Sequence, residues 1–254
     1  MIARVRQVSR AAGFVSYTAV SIPAYLAALA AAPEAEREAV SDRWVRRWAR
    51  TLLRMFAIEP VVDGVAPPAT RRGERGRLVV SNHRSAIDIG VMLATFGGTM
   101  VSRADLAGWP VVGAAARAVG TVFVDRASAK SGAATIRVIQ KHLEQGKTIA
   151  LFPEGTTFDG DEVRPFHGGA FVAAARAEAE ILPVGVAYPK GSGAAFVDQT
   201  FPQHLARVAA GGRTRMAVAV GTPFVASKDV RAKTLTDRAH DEVSELVRRA
   251  RARL

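Results

Sequence analysis

Between residues 78 and 220, short β-rich runs alternate with helical ones, and no other feature restricts the fold as much. Candidate strands are Leu78 to Ser81, Thr99 to Ser102, Thr121 to Val124, Thr148 to Phe152, Leu182 to Ala187 and Arg215 to Val220. Helical patterns separate them at Ala86 to Thr95, Pro110 to Val119, Ser131 to Glu144 and Gly169 to Glu178. Such alternation predicts an α/β fold with a largely parallel central sheet flanked by helices. At 254 residues the chain has room for one such domain and an appendage.

The appendage is N-terminal. Ala11 to Ala32 carries no charged side chain, follows Arg4, Arg6 and Arg10, and precedes Glu34, Glu36 and Arg37. It is long enough to cross a bilayer. Ala, Ser and Thr dominate it, however, and Pro23 interrupts it, so a kinked or re-entrant helix fits as well as a full span. The Ala28-Leu29-Ala30 segment also admits a secretory signal. From Val40 to Phe56 the pattern is helical, with Arg43, Arg46, Arg47, Arg50 and Arg54 inside an arc of about 100° and Val40, Trp44, Val45, Trp48, Leu52, Met55 and Phe56 on the remainder. Two readings stand: a helix in the headgroup region of an anionic membrane, or an amphipathic helix packed on the domain with solvated arginines. Pro60 is expected to end this helix, and the turn-rich stretch through Pro67, Pro68 and Gly73 forms a link. Residues 1–58 therefore divide off as a membrane-associating helical pair, and residues 59–254 as the α/β domain. The basic segment Lys228 to Leu254 reads as a terminal helix, either solvated or lipid-facing.

Composition narrows the chemistry. With no cysteine, the chain has no disulfide, no thiolate nucleophile and no Cys-type metal site. The formal net charge of +12 calls for an anionic partner. Nucleic acid is disfavoured, because no basic face is interleaved with stacking aromatics and the uncharged run would have no role. A metal hydrolase is disfavoured too, since His142, His167, His204 and His240 show no ligand spacing with His83.

Four clusters carry the chemistry. The strand Arg77 to Val80 runs into Ser81-Asn82-His83-Arg84-Ser85-Ala86-Ile87-Asp88, placing a histidine and a carboxylate at a strand end. Five residues advance a helix by about 500°, so His83 must sit in the turn while Asp88 reaches back from the following helix. The pair reads as a general base with its orienter, or more simply as a buried histidine beside a helix-start aspartate. The second cluster, Gly120 to Arg126, delivers an arginine at a strand end, suited to a phosphate or to a salt bridge with Asp125. The third, Phe152-Pro153-Glu154-Gly155-Thr156, presents a carboxylate, a glycine and a hydroxyl for substrate oxygens or a neighbouring arginine. In the fourth, Leu182-Pro183-Val184, the proline marks an edge, a bulge or a cleft wall.

In order and spacing these clusters resemble the glycerolipid acyltransferase family, specifically its bacterial 1-acylglycerol-3-phosphate acyltransferase branch. That family is known by N-H-x-x-x-x-D, G-x-x-F-I-D-R, F-P-E-G-T and a V-P-V strand. Here these stand as Asn82-His83 to Asp88, Gly120 to Arg126, Phe152 to Thr156 and Leu182 to Val184, and the resemblance covers roughly residues 40 to 225.

The resemblance implies a glycerol-3-phosphate acyltransferase-like fold and transfer of a fatty acyl group from acyl-CoA or acyl-ACP to the free hydroxyl of a lysophospholipid. 1-Acylglycerol-3-phosphate, giving phosphatidic acid, is the leading acceptor; lyso-ornithine lipid or an inactive membrane scaffold of the same fold is the alternative. His83 and Asp88 are the expected catalytic pair. Asn82, Arg84, Ser85, Phe123, Arg126, Glu154, Gly155, Thr156 and Pro183 are the expected substrate contacts, with Arg126 on the phosphate. No metal or cofactor beyond the thioester co-substrate is expected. The implied partners are an anionic membrane surface, the lysolipid and the donor, at the cytoplasmic face of the cell membrane. One departure stands out: Thr157 occupies the place where the family often has arginine, which opens the identity of the acceptor and brings in Arg164 as a substitute cation.

Overall fold

A computed structural model describes residues 1–68, 70, 73–109, 112–124 and 129–254. In chain order the elements are α1 (Ile2–Ala31), α2 (Arg37–Met55), β1 (Ile58–Asp63), β2 (Arg77–Ser81), α3 (Ile87–Phe96), β3 (Thr99–Arg103), α4 (Val112–Ala118) and β4 (Val122–Val124). There follow α5 (Ala129–Glu144), β5 (Thr148–Leu151), α6 (Gly169–Arg176), β6 (Glu180–Ala187), α7 (Phe201–Ala210), β7 (Thr214–Val220), β8 (Phe224–Val225) and α8 (Ala232–Arg251). The strands form one sheet in the order β1-β7-β6-β2-β5-β3-β4, with β8 on β6. Pairings are parallel except for β6 with β7 and with β8, so the sheet is mixed and mostly parallel.

Both faces of the central strands are covered, and for this reason they read as unbroken apolar runs. Val79, Ala150, Leu182 and Val184 pack toward Val45, Ala49 and Leu53 of α2 and Val91 and Met92 of α3. Leu78, Val80, Ile149 and Ile181 face the opposite layer, built from Ile139 and Leu143 of α5, Phe171 of α6 and Val243 and Val247 of α8. Gly185 permits that second contact: a Cβ there would lie 2.3 Å from the Leu246 carbonyl carbon. α8 can lie against β6 only because this position has no side chain.

The helical pair is joined to this domain along its length. α1 meets α2 through Trp48 Nε1–H donating to Thr18 (3.3 Å) and a Tyr25–Ser41 hydroxyl contact of 3.0 Å. Arg10 donates to the carbonyls of Ala209 and Gly211, closing the carboxyl end of α7. The remainder of α1 stays outside, exposing Val5, Val8, Val15, Val20 and Leu26. It is long and apolar enough to cross a membrane, and only 17% of its apolar window is buried.

Several expectations need correction. Pro60 does not end α2; the helix stops at Met55, Ala57 turns the chain at φ 55°, and Pro60 lies inside β1, opposite Met216 of β7, its one sheet neighbour among the described residues. A proline is tolerated there because an edge strand has one side without ladder bonds. Pro183 is not at an edge. It is buried in β6 opposite Val80, where the other flank of β6 passes from β8 to β7 and no N–H is needed. On α2, Arg46 and Arg50 face neither lipid nor water alone: they donate to the carbonyls of Thr95, Phe96 and Ala94 at the end of α3. At the chain end, Arg249 and Arg253 pair with Asp63, and Arg251 with Asp161.

Candidate active site

β2, β5 and β6 are adjacent and parallel, so their carboxyl ends bring together three segments distant in sequence. His83 follows β2, Phe152 to Thr157 follow β5, and Tyr188 follows β6. Ligands of open α/β sheets bind at such strand ends. Asn82 extends the ladder by a side chain: its amide accepts from Val186 N–H (2.8 Å) and donates to Val186 O (2.9 Å), so His83 is pinned at the point where β2 ends.

The His83 ring lies flat on Phe152, 3.8 Å between centroids and 5° between planes. Its Nδ1 is 2.9 Å from Asp88 Oδ2. That oxygen also accepts the N–H groups of Arg84 (2.7 Å) and Ser85 (2.8 Å), while Oδ1 accepts the Tyr188 hydroxyl at 2.6 Å. Asp88 is completely buried and accepts from three donors besides the imidazole. An ionised carboxylate only accepts, so Nδ1 carries the proton and Nε2 keeps its lone pair. Burial and the Asp88 charge push the Tyr188 phenol well above its ordinary pKa, keeping it a donor.

His83 opens on an apolar cavity of about 600 Å³, within the usual range for ligand sites of about 300–1,000 Å³. Its walls come from both parts of the chain, with Phe14 of α1, Trp48 and Leu52 of α2, Leu93 of α3, Ala116 of α4 and Val208 of α7. Trp44 and Trp48 are among the residues that line it. Gly155 and Thr156 line the mouth beside His83, Gly155 at φ 82°, a conformation glycine adopts freely.

The other expected contacts fall elsewhere. Arg84 and Glu154 are buried and paired at 2.8 Å; Glu154 also accepts from His83 N–H and Arg164 N–H, and Arg84 donates to the carbonyls of His83, Gly160 and Glu162. Their polar atoms are spent on shaping the 153–164 loop rather than on a headgroup. Ser85 and Asn82 are buried within the protein, Phe123 lies on β4 and Pro183 within β6, all apart from the cavity lining. Arg126 lies outside the described residues. Thr157 donates to Phe196 O, and Arg164 stands 5.2 Å over the Phe158 ring and 3.3 Å from Glu162.

Two polar groups at the site were not anticipated, Tyr188 and His204. Tyr188 carries the signal of a strand's carboxyl end. His204 is announced by Thr200-x-x-Gln203, a capping box that starts α7.

A base held by a buried carboxylate, open to an apolar chamber, defines a site for acyl transfer to an alcohol. Comparison with known proteins agrees. A family profile described as Acyltransferase matches residues 65–187. The lyso-ornithine lipid O-acyltransferase of Pseudomonas aeruginosa is 30% identical over 219 residues, covering 84% of this chain and 82% of that protein. The enzyme of that name from Rhodobacter capsulatus is 35% identical over 185 residues, 66% and 67% of the two chains. The 1-acyl-sn-glycerol-3-phosphate acyltransferase of Neisseria gonorrhoeae is 33% identical over 113 residues, 44% of each. The crystal structure of the 1-acyl-sn-glycerophosphate (LPA) acyltransferase PlsC from Thermotoga maritima superposes with a TM-score of 0.72, covering 99% of both chains at 20% identity, and so shares the fold. The chain belongs to the acyltransferase family.

Proposed function

We propose that the protein moves a fatty acyl group from a water-soluble thioester, acyl-CoA or acyl-ACP, to the free hydroxyl of a lysolipid. The observation that carries this reading is that His83, whose Nε2 is freed by the Nδ1–Asp88 bond, lines the apolar cavity. The acceptor oxygen attacks the thioester carbonyl while Nε2 takes its proton; the tetrahedral intermediate then expels the thiolate, which recovers that proton from the imidazolium. Asp88 stabilises the imidazolium between the two steps. With no cysteine in the chain, transfer is direct and uses no resident cofactor. The cavity takes an acyl chain, which its volume and apolar lining suit. Arg126 meets the acceptor headgroup, and Gly155 and Thr156 border the reacting ester.

1-Acylglycerol-3-phosphate, giving phosphatidic acid, is the first acceptor, supported by the order of the four motifs and by the Neisseria relative. Lyso-ornithine lipid is the second reading. It is supported by Thr157, whose hydroxyl is engaged by Phe196 O where the family often has a cation, and by relatives of that name that cover most of the chain. The exposed apolar side chains of α1 and the exposed Arg43, Arg47 and Arg54 of α2 hold the protein on an anionic membrane at its cytoplasmic face, where both substrates meet. The test is full-length protein in detergent with labelled acyl-CoA or acyl-ACP and a panel of lysolipids, products being identified by mass spectrometry. Phosphatidic acid is expected. Product from lyso-ornithine lipid alone selects the second reading, and no product from any lysolipid overturns both.

A further inference from the structure

Beside the dyad runs a line of buried polar groups to which the reaction above assigns no task. Tyr188, Ser85 and His204 are 7%, 0% and 1% exposed and sit on β6's end, the His83 turn and α7. Their hydrogen bonds have a dictated direction. Asp88 only accepts, so Tyr188 donates to it. Ser85 reaches the same carboxylate by its N–H, 2.8 Å from Oδ2. Ser85 Oγ receives Ile87 N–H at 3.2 Å and lies 3.1 Å from His204 Nε2. His204 Nδ1 is left as acceptor, facing the Arg207 guanidinium at 3.4 Å and the Gln199 amide at 3.5 Å, both donors. Every group in the line has one consistent role only while His204 is neutral. Burial, followed by the charge of Arg207, holds its pKa down at about 4.

We infer that Tyr188 and Ser85 are the positioning residues for Asp88, and that Ser85, held by His204, ties the α7 wall of the acyl cavity to the base. His204 lines the cavity together with Leu205 and Val208, and its ring is stacked on Phe196 at 4.6 Å. A shift of α7 is therefore felt at Asp88 through hydrogen bonds, without contact between α7 and His83. The charged and titratable groups around Asp88 are His83 in its own segment, Tyr188 from β6, His204 and Arg207 from α7, and the Arg84–Glu154 pair beneath. The inference rests on His83 being the base.

Its test uses the full-length enzyme. Tyr188→Phe should lower kcat about tenfold, the usual scale for a group that orients a reacting one, with KM for both substrates unchanged. The acidic limb of its pH–rate curve should move to higher pH, because Asp88 with one donor fewer holds the imidazolium more tightly. A merely structural loss would not move that limb. His204→Leu should show the same limb shift, and His204→Gln, whose amide replaces the Nε2 donor, should recover most of the lost turnover. Since the two act on Asp88 through different donors, the phenol and the Ser85 N–H, the Tyr188→Phe/His204→Leu double variant should be slower than Tyr188→Phe alone. Native kcat and an unmoved limb in Tyr188→Phe, or a double variant no slower than Tyr188→Phe alone, overturn the inference while leaving an inert His83→Ala to uphold the base. Native turnover in His83→Ala overturns the base assignment and this inference with it.

Discussion

Asp88 and Glu154 are two buried carboxylates at neighbouring strand ends, and they are held in opposite ways. Glu154 faces a guanidinium and two backbone N–H groups, so its charge is cancelled by Arg84 and its task ends with holding a loop. Asp88 has only neutral donors besides the imidazole: two backbone N–H groups and a phenol. Its charge is stabilised without being neutralised, and it remains available when the ring across from it becomes an imidazolium. What surrounds a buried acid, more than its burial, separates an architectural residue from one that can serve a reaction.

Breaking this contrast should begin with the dyad. His83→Ala and Asp88→Asn are each expected to lower turnover about a thousandfold or more in the labelled-lipid assay, with thermal unfolding close to native. Asparagine can still accept the Arg84 and Ser85 N–H groups but no longer fixes the histidine tautomer; native-like turnover in either variant would erase the distinction. Next comes Glu154→Gln, which leaves a buried guanidinium unpaired and should destabilise the fold by about 3–5 kcal/mol, read as a shift in denaturant midpoint. Should it fold normally yet lose only acceptor binding, Glu154 belongs with the substrate contacts.

The smallest effect concerns pH. His204 has a folded pKa of about 4 against an ordinary 6.5, so protons favour the unfolded chain. Its contribution to stability is whole above about 6.5 and is lost as pH falls toward 4. Thermal midpoints followed across that window should drop less in His204→Gln than in the native protein, and equal slopes would mean that His204 is hydrated after all.

Much of this could be read from residue order, and the exceptions share a cause. The central strands carry apolar residues toward both helical layers, so Leu78 to Ser81 and Thr148 to Phe152 are visible without coordinates. β1 is an edge strand with Glu59 and Pro60 in it, and β8 is two residues long, so neither has a recognisable period. The His83–Asp88 contact follows from a five-residue spacing across a turn. The Arg84–Glu154 pair does not, because it depends on β2 and β5 lying side by side, which local pattern cannot say. For the same reason Tyr188, 100 positions beyond Asp88, and His204, 119 positions beyond Ser85, are not visible as partners in the sequence. The tryptophans of α2 show the limit of amphipathic reading: an apolar face turned to a cavity and one turned to lipid look alike in sequence.

Because Phe14 and Trp48 supply one side of the chamber and Leu93 and Val208 the other, neither half of the chain encloses it alone. A truncated α/β half would be left with an uncovered greasy trough, because the helix pair that looks like an appendage in the sequence is the roof of the chamber.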